Sequence, residues 1–224
     1  MTDKKTFVIT AGGTHEHIDD VRYITNHATG ALPASMAECL LGMGHDVVYI
    51  HGPKARTPKE VNYGGSLTFV PVTSAHDMSC ALTLICLSTK PYAVICAAAV
   101  ADFSPVKMDG KISSQQASED GSITIKMYPT AKVIDAVKAC APKARLLGFK
   151  FLAGATVDEL EAAGLKLIRR SGAEMVFCNT LEQYQDRKGF LLREGTGEFS
   201  TSSLALDGGG SVYTLARQIL TTWL

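Results

Sequence analysis

The sequence has no excess charge of either sign: Lys and Arg together number 22, and so do Asp and Glu. A balanced chain offers no basic field to nucleic acid or to an anionic membrane, so its partner is predicted to be a small molecule. No apolar run approaches the ~18 residues of a membrane-spanning helix. The opening MTDKKTFVIT passes from charge straight into a strand-like run. It has neither the apolar core nor the small-residue cleavage site of a secretory signal, which predicts a cytoplasmic protein. Six cysteines, at positions 39, 80, 86, 96, 140 and 178, never fall in C-x-x-C spacing. They predict buried, reduced thiols rather than disulfides or a zinc site.

Further absences narrow the chemistry. There is no G-x-G-x-x-G, and the apolar run DVVYI is followed by HGPKA, without the acid that would hold a dinucleotide ribose. Neither G-x-x-x-x-G-K-[ST] nor the G-x-S-x-G of a triad hydrolase occurs. His15 and His17 have the H-x-H spacing of a metal pair, but no third ligand follows at a definite spacing. No metal site is predicted from them.

What is present is an alternation. Short apolar runs at 7–10, 46–50, 92–98, 145–151 and 174–179 are separated by helical patterns near 33–43, 75–88, 131–140 and 157–171. Continuous apolar strands between helices predict a parallel sheet covered on both faces. The fold class is therefore α/β: a Rossmann-like, doubly wound, mostly parallel sheet. Nothing divides the 224 residues, so one domain over 1–224 is expected. Two stretches break the alternation. Residues 104–130 are polar, dotted with glycine and end in the alternating ITIKM, which predicts a β-ribbon or flap inserted after the third strand. Residues 189–203 predict a C-terminal β-hairpin turned at Glu194 to Gly197, before a last helix within 211–224.

Ligands of open α/β sheets bind beyond the carboxyl ends of the strands, and several polar stretches lie in that position. The first follows FVIT and runs from Ile9 to Gly30. Gly12 and Gly13 permit close backbone approach to a phosphate, and Gly30 precedes a helix whose first turn accommodates Pro33. A loop of about twenty residues in a compact domain is usually functional. The second, CAAAVADF at 96–103, has small residues at Ala97, Ala98 and Ala99 that let a ligand lie against the backbone. Asp102 there is either a ligand contact or a helix cap, and Pro105 argues against a regular helix. The third pairs GFKF at 148–151 with FCNT at 177–180, where Phe149 could stack on a base and Asn179 could hydrogen-bond it. Core packing and a strand end are the simpler fates of those two. Lys111, on the flap, reads either as a solvated lysine or as one that closes over phosphates.

Taken in order, these stretches resemble the phosphopantothenate-cysteine ligase family, in its stand-alone form. The resemblance rests on Thr10-Ala11-Gly12-Gly13-Thr14, Glu16, Ile18-Asp19, Val21-Arg22, Asn26, Thr29-Gly30, Ala97 to Phe103, Lys111-Ile112, Thr130 to Val133, Gly148-Phe149-Lys150 and Cys178-Asn179. It implies that a nucleoside monophosphate from ATP or CTP activates the carboxylate of 4'-phosphopantothenate, with Mg²⁺ present. Cysteine's amine then attacks the acyl nucleotidylate, a step of coenzyme A biosynthesis. By the same resemblance Asn26 and Lys111 are catalytic, and Gly12, Gly13, Thr29, Gly30, Phe149, Asn179 and Arg170 bind nucleotide. Ala98, Ala99 and Asp102 would bind substrate, and the assembly would be a homodimer. The chain departs from the family pattern at Ala28, at Pro33 in place of a glycine, and at Ala131 in place of a proline. Those departures leave the choice of nucleotide open. They also leave room for a catalytically silent nucleotide-binding relative, while an NAD(P)-dependent oxidoreductase is the alternative that the fold class alone allows.

Overall fold

The apolar run at the start of the chain becomes the centre of a sheet. In the computed structural model, which describes residues 3–59, 64–116, 118, 120–194 and 201–224, Thr6–Ala11 is strand β1, with Phe7, Val8 and Ile9 fully enclosed. A small hairpin of β2 (His15–His17) and β3 (Tyr23–Thr25) follows, then α1 (Ala31–Gly42), β4 (Asp46–His51), β5 (Leu67–Pro71) and α2 (Ala75–Thr89). Next come β6 (Ala93–Cys96), β7 (Phe103–Pro105), β8 (Met127–Pro129), α3 (Val137–Cys140), β9 (Arg145–Leu152) and α4 (Val157–Ser171). The chain closes with β10 (Met175–Thr180), α5 (Leu181–Gln185), β11 (Lys188–Glu194), β12 (Thr201–Asp207) and α6 (Val212–Trp223).

The main sheet has eight strands in the order β12-β11-β10-β9-β6-β1-β4-β5. Every neighbouring pair from β5 to β10 is parallel, and β11 and β12 add on antiparallel. The chain winds outward from β1 through β4 to β5, then crosses back to β6 and winds outward on the other side. The reversal lies between β1 and β6, which is where open α/β sheets hold ligands. One face buries Phe7, Ile9, Tyr49 and Phe177 against α1 and α6; the other buries Val8, Ile50, Val94 and Val176 against α2, α3 and α4. Alternate residues of one strand thus serve both cores, which is why these strands read as unbroken apolar runs.

Local chemistry fixes the helix ends. Ser74 and Asp77 form a reciprocal capping box on α2, as Thr156 and Glu159 do on α4, each such cap stabilising by about 1 kcal/mol. Helix α4 stops at Gly172 in the left-handed conformation, φ 69. The helix expected over 131–140 is instead a 3₁₀ turn, Val133–Ala136, followed by the single α turn of α3. Pro142 lies just beyond and forbids continuation.

The expected strand at 92–98 is shorter, and β5 was not foreseen because LTFVP is a short edge strand of mixed burial. Among the described residues the flap is a ribbon only at its base, where Phe103–Pro105 pairs antiparallel with Met127–Pro129. ITIKM forms no strand before Met127. The C-terminal hairpin is present as β11 and β12, paired from Lys188↔Asp207 to Glu194↔Thr201. Its expected turn runs into residues 195–200, outside the described residues.

Candidate active site

The carboxyl ends of β1 and β6 are laced together rather than splayed apart. The Ala99 N–H donates to the Gly12 carbonyl at 2.9 Å, and Gly13 bridges Ala99 in parallel register. The N–H groups of Ala98 and Ala101 donate to the buried hydroxyls of Thr10 and Thr14, at 3.3 and 3.1 Å. Gly12, Gly13, Ala98 and Ala99, singled out in separate stretches of sequence, therefore meet. The glycines also have a use that the sequence did not suggest. A Cβ on Gly12, whose φ is 77, would lie 2.4 Å from the Ala55 Cβ. One on Gly13 would lie 2.7 Å from the Asn26 carbonyl oxygen, and one on Gly30 3.1 Å from the Ala55 Cβ. The close approach they permit is, first of all, by the protein's own segment 52–56 and by Asn26.

Asn26 leaves β3 and turns its side chain to the exit of β6. Its Nδ2 donates to the carbonyls of Ala99 at 3.1 Å and Val100 at 3.3 Å. Asp102 stands a few residues on, ion-paired with Lys132. Thr130 fastens the same place, its N–H donating to the Asp102 carbonyl at 3.0 Å and its hydroxyl to that of Ala101. Amide, carboxylate and ammonium thus surround the Ala98–Asp102 loop.

On the α1 side of the sheet, Ala31, Leu32, Asn179, Tyr184 and Arg187 line a cleft. Helix α1 begins at Gly30, φ 69; the Ala31 N–H already donates to Thr29 Oγ1 and Pro33 has no N–H, so the first turn offers an anion the N–H of Leu32. Thr29 Oγ1 lies 3.3 Å from the Ala31 nitrogen and 3.5 Å from the Tyr184 hydroxyl. Asn179 is only 9% exposed, and its amide has no hydrogen-bond partner among the described residues. Phe149 is on the same face, but it is packed into the core against Phe177, ring centres 5.7 Å apart. The aromatic beside the cleft is Phe151, two residues on and set edge-on to Tyr184 at 6.2 Å. Arg187 holds a left-handed backbone, φ 60, with its guanidinium over the Tyr184 ring and Nη1 donating to the Tyr184 carbonyl at 3.0 Å.

Lys111 is exposed on the flap, and the next residue is anchored. Asp19 lies in the turn between β2 and β3 with its side chain fully enclosed. Its Oδ1 accepts from the N–H groups of Val21 at 2.9 Å and Arg22 at 2.7 Å, and its Oδ2 from Arg22 Nε at 2.9 Å and from the Ile112 N–H at 3.1 Å. Burial pushes this carboxyl up, but those donors more than offset it and hold it well below the usual carboxylate range.

Arg170 is placed elsewhere. Helix α4 runs antiparallel to β9 and β10, so its last turn, where Arg170 pairs with Asp135 at 3.0 Å, lies toward the amino ends of the strands. His15 stacks on Tyr23 at 3.9 Å, and burial, then the Lys54 charge, lower its pKa. Among the described residues no three His, Cys, Asp or Glu side chains converge as a metal site. All six thiols are free, but Cys80 is exposed on α2, against the expectation of burial, because it falls on the helix's solvent side.

The pattern of the family described as DNA/pantothenate metabolism flavoprotein C-terminal domain matches residues 2–199. The chain belongs to this family. It is 35% identical over 181 residues to the coenzyme A biosynthesis bifunctional protein CoaBC of Thermococcus kodakarensis, covering 80% of this chain and 42% of that one. The chain thus spans less than half the length of that relative. The crystal structure of the DNA/pantothenate metabolism flavoprotein from Streptococcus pneumoniae superposes with a TM-score of 0.79 at 25% identity, over 97% of each chain. The C-terminal domain of a CoaBC protein gives 0.70 at 26% identity, over 97% of this chain and 93% of that one.

Within this family fold, sequence reasoning missed several residues that shape the site. Thr10 and Thr14 bracket the glycine pair, a symmetry that could have pointed to them. Asp19 and Arg22 have the spacing of an Asx turn closed by an ion pair. Lys132 and Tyr184 gave no such signal, because their contacts with Asp102 and Phe151 are distant in sequence, and Arg187 takes its place from the turn that it closes on Tyr184.

Proposed function

We propose that the chain is a nucleotide-dependent ligase that joins 4'-phosphopantothenate to cysteine through an acyl nucleotidylate, a step of coenzyme A biosynthesis. The observation that carries this reading is the meeting of Gly12, Gly13, Ala98, Ala99 and Asn26 at the β1–β6 crossover, in a chain of this family. The eight-stranded sheet, which takes strands from β1 through β12, supports one functional domain. A carboxylate oxygen of 4'-phosphopantothenate attacks the α-phosphorus of ATP or CTP, and pyrophosphate leaves with the electrons of the broken P–O bond. Cysteine's amine then attacks the acyl carbon and loses a proton, and the tetrahedral oxyanion collapses to the amide as the nucleoside monophosphate leaves.

Each residue has a task set by its chemistry. Thr29, Gly30 and the start of α1 would meet phosphates. Asn179 would read the base, with Tyr184 beside it and Phe149 as support from the core. Ala98 and Ala99 would let the acyl group lie close, and Asp102 with Lys132 would order the polar end of a substrate. Asn26 would donate to the oxyanion from Nδ2, sharing or releasing its present bonds to Ala99 and Val100. Lys111 would close on the phosphoryl charge. Arg170 is paired with Asp135, and the reading gives it no task. Mg²⁺ would arrive on the nucleotide and keep mostly water. When bound, it would neutralise phosphoryl charge.

The oxidoreductase alternative loses ground, because HGPKA at the end of β4 carries no acid and places Ala55 against Gly12. No helix among the described residues is long and apolar enough to cross a membrane. Exposed Phe103, Val106, Met108 and Tyr128 on the flap would suit the contact of a homodimer. The direct test omits cysteine and looks by mass spectrometry for the acyl nucleotidylate. Its formation from 4'-phosphopantothenate with ATP or CTP supports the ligase, and its absence with both refutes it.

A further inference from the structure

We infer that Asp19 is a positioning residue for Lys111, acting with Arg22 through the backbone of Ile112. This rests on the ligase reading for its catalytic consequence, but the grip itself is a property of the fold. Two backbone groups of Ile112 are held from the β2–β3 turn, some ninety positions earlier in the chain: its N–H donates to Asp19 Oδ2 at 3.1 Å, and its carbonyl accepts from Arg22 Nη2 at 2.7 Å. Arg22 is itself oriented by Asp19, with Nη2 only 2.6 Å from Oδ2. The carboxylate is fully enclosed and the Ile112 side chain is buried, so neither can drift without leaving a polar group unpaired.

The neighbouring residues extend the grip. Met108 N–H donates to the Ile18 carbonyl at 2.9 Å, and Asp20 N–H to the Gly110 carbonyl at 3.0 Å. Gly110 N–H returns a bond to Asp20 Oδ2 at 2.8 Å, and Asp20 Oδ1 pairs with Lys107 at 2.6 Å. Lys107 is therefore engaged, whereas Lys111 has no hydrogen bond or ion pair among the described residues. Adjacent Cα atoms are ~3.8 Å apart, so fixing Ile112 fixes the base of the Lys111 side chain while leaving its ammonium free. The same hairpin that grips the flap also carries Asn26 just past β3, so one element sets both the amide and the flap lysine.

The test has one readout that needs no activity and one that does. Amide hydrogen exchange followed by mass spectrometry compares the full chain with Asp19→Asn and with Arg22→Lys, a milder change for the case in which the buried substitution prevents folding. The expected result is exchange in segment 107–112 faster by about tenfold or more, with β9 unchanged. Unchanged exchange in 107–112 overturns the grip. Kinetics then compare each substitution alone and on Lys111→Gln. If Asp19 acts through Lys111, Asp19→Asn slows pyrophosphate release by about tenfold alone but by less than about twofold in the Lys111→Gln background. Equal factors in both backgrounds overturn the positioning role. A wild-type chain that releases no pyrophosphate would reject the ligase reading, and the exchange data would still decide whether Asp19 holds the flap.

Discussion

Asn26 and Ala99 are joined across the crossover of the sheet: the Asn26 Nδ2 lies 3.1 Å from the Ala99 carbonyl oxygen, with the Val100 oxygen at 3.3 Å. Both partners are acceptors, so the amide must present its NH₂ to them, next to the small residues where an acyl group would lie. Asn26→Asp removes the donors and sets a carboxylate against two carbonyl oxygens. Pyrophosphate release should persist while amide formation falls by about 10²-fold or more, the usual effect of deleting an oxyanion donor. Product yield at the wild-type level would remove Asn26 from the chemistry.

Gly12 tests whether the glycine loop is built around the protein's own chain. Its φ is 77, and an added Cβ would sit 2.4 Å from that of Ala55. Left-handed strain and overpacking together predict that Gly12→Ala destabilises by about 2–4 kcal/mol. Ala55→Gly in the same chain should restore only the overpacking share, since the φ strain remains. Urea denaturation of the two variants measures this, and an identical loss in both would show that Ala55 does not limit the site.

The cleft beside α1 predicts a separation of kinetic effects. Tyr184→Ala removes the ring between Phe151 and Arg187 and the hydroxyl near Thr29, so the KM for nucleotide should rise by about tenfold, an effect of the size of a lost base stack. Tyr184→Phe should lose far less. Steady-state rates with nucleotide varied decide it, and a change confined to the KM for cysteine would place the cleft outside the nucleotide site.

Thiol reactivity should follow burial. Burial pushes the Cys86 thiol up to about 11 and the Cys178 thiol up to about 12, and Cys96 is raised by the same cause. Cys80 is the exposed one. A disulfide reagent at pH 8 should therefore show one fast thiol in the native chain, lost in Cys80→Ser, with the rest reacting on unfolding. A fast phase that survives Cys80→Ser contradicts this.

Asp19 sets an acid limit. Its carboxyl is held below the ordinary value, so between the two values the unfolded chain binds more protons than the native one. Its contribution to stability is complete above the unfolded value, about pH 4, and disappears as pH falls toward the lower native value. Thermal midpoints from pH 7 to pH 3 should fall more steeply for the wild type than for Asp19→Asn. Parallel curves would show that folding leaves the titration of this carboxyl unchanged.

The sequence made some of this legible and hid the rest for physical reasons. Helix α4 is readable over 157–171 because its apolar period, early acids and late arginines agree, and the structure places it at those residues. The central strands are readable because both of their faces are buried. The β2–β3 hairpin is not: HEH and YIT are too short to show a period, and their pairing depends on the Asp19 turn. Gly12, Gly13, Ala98 and Ala99 could be nominated from their sizes, but only the strand order brings them together. Arg170 could be nominated from chain position alone; the fold sets it in the last turn of α4, paired with Asp135.

The central claim is best tested by pyrophosphate release from the purified chain with Mg²⁺, 4'-phosphopantothenate and cysteine, comparing ATP with CTP and omitting each acid in turn. The account predicts release that requires 4'-phosphopantothenate, with the cysteine amide found by mass spectrometry when cysteine is present. Release that ignores 4'-phosphopantothenate, or none with either nucleotide, would contradict it.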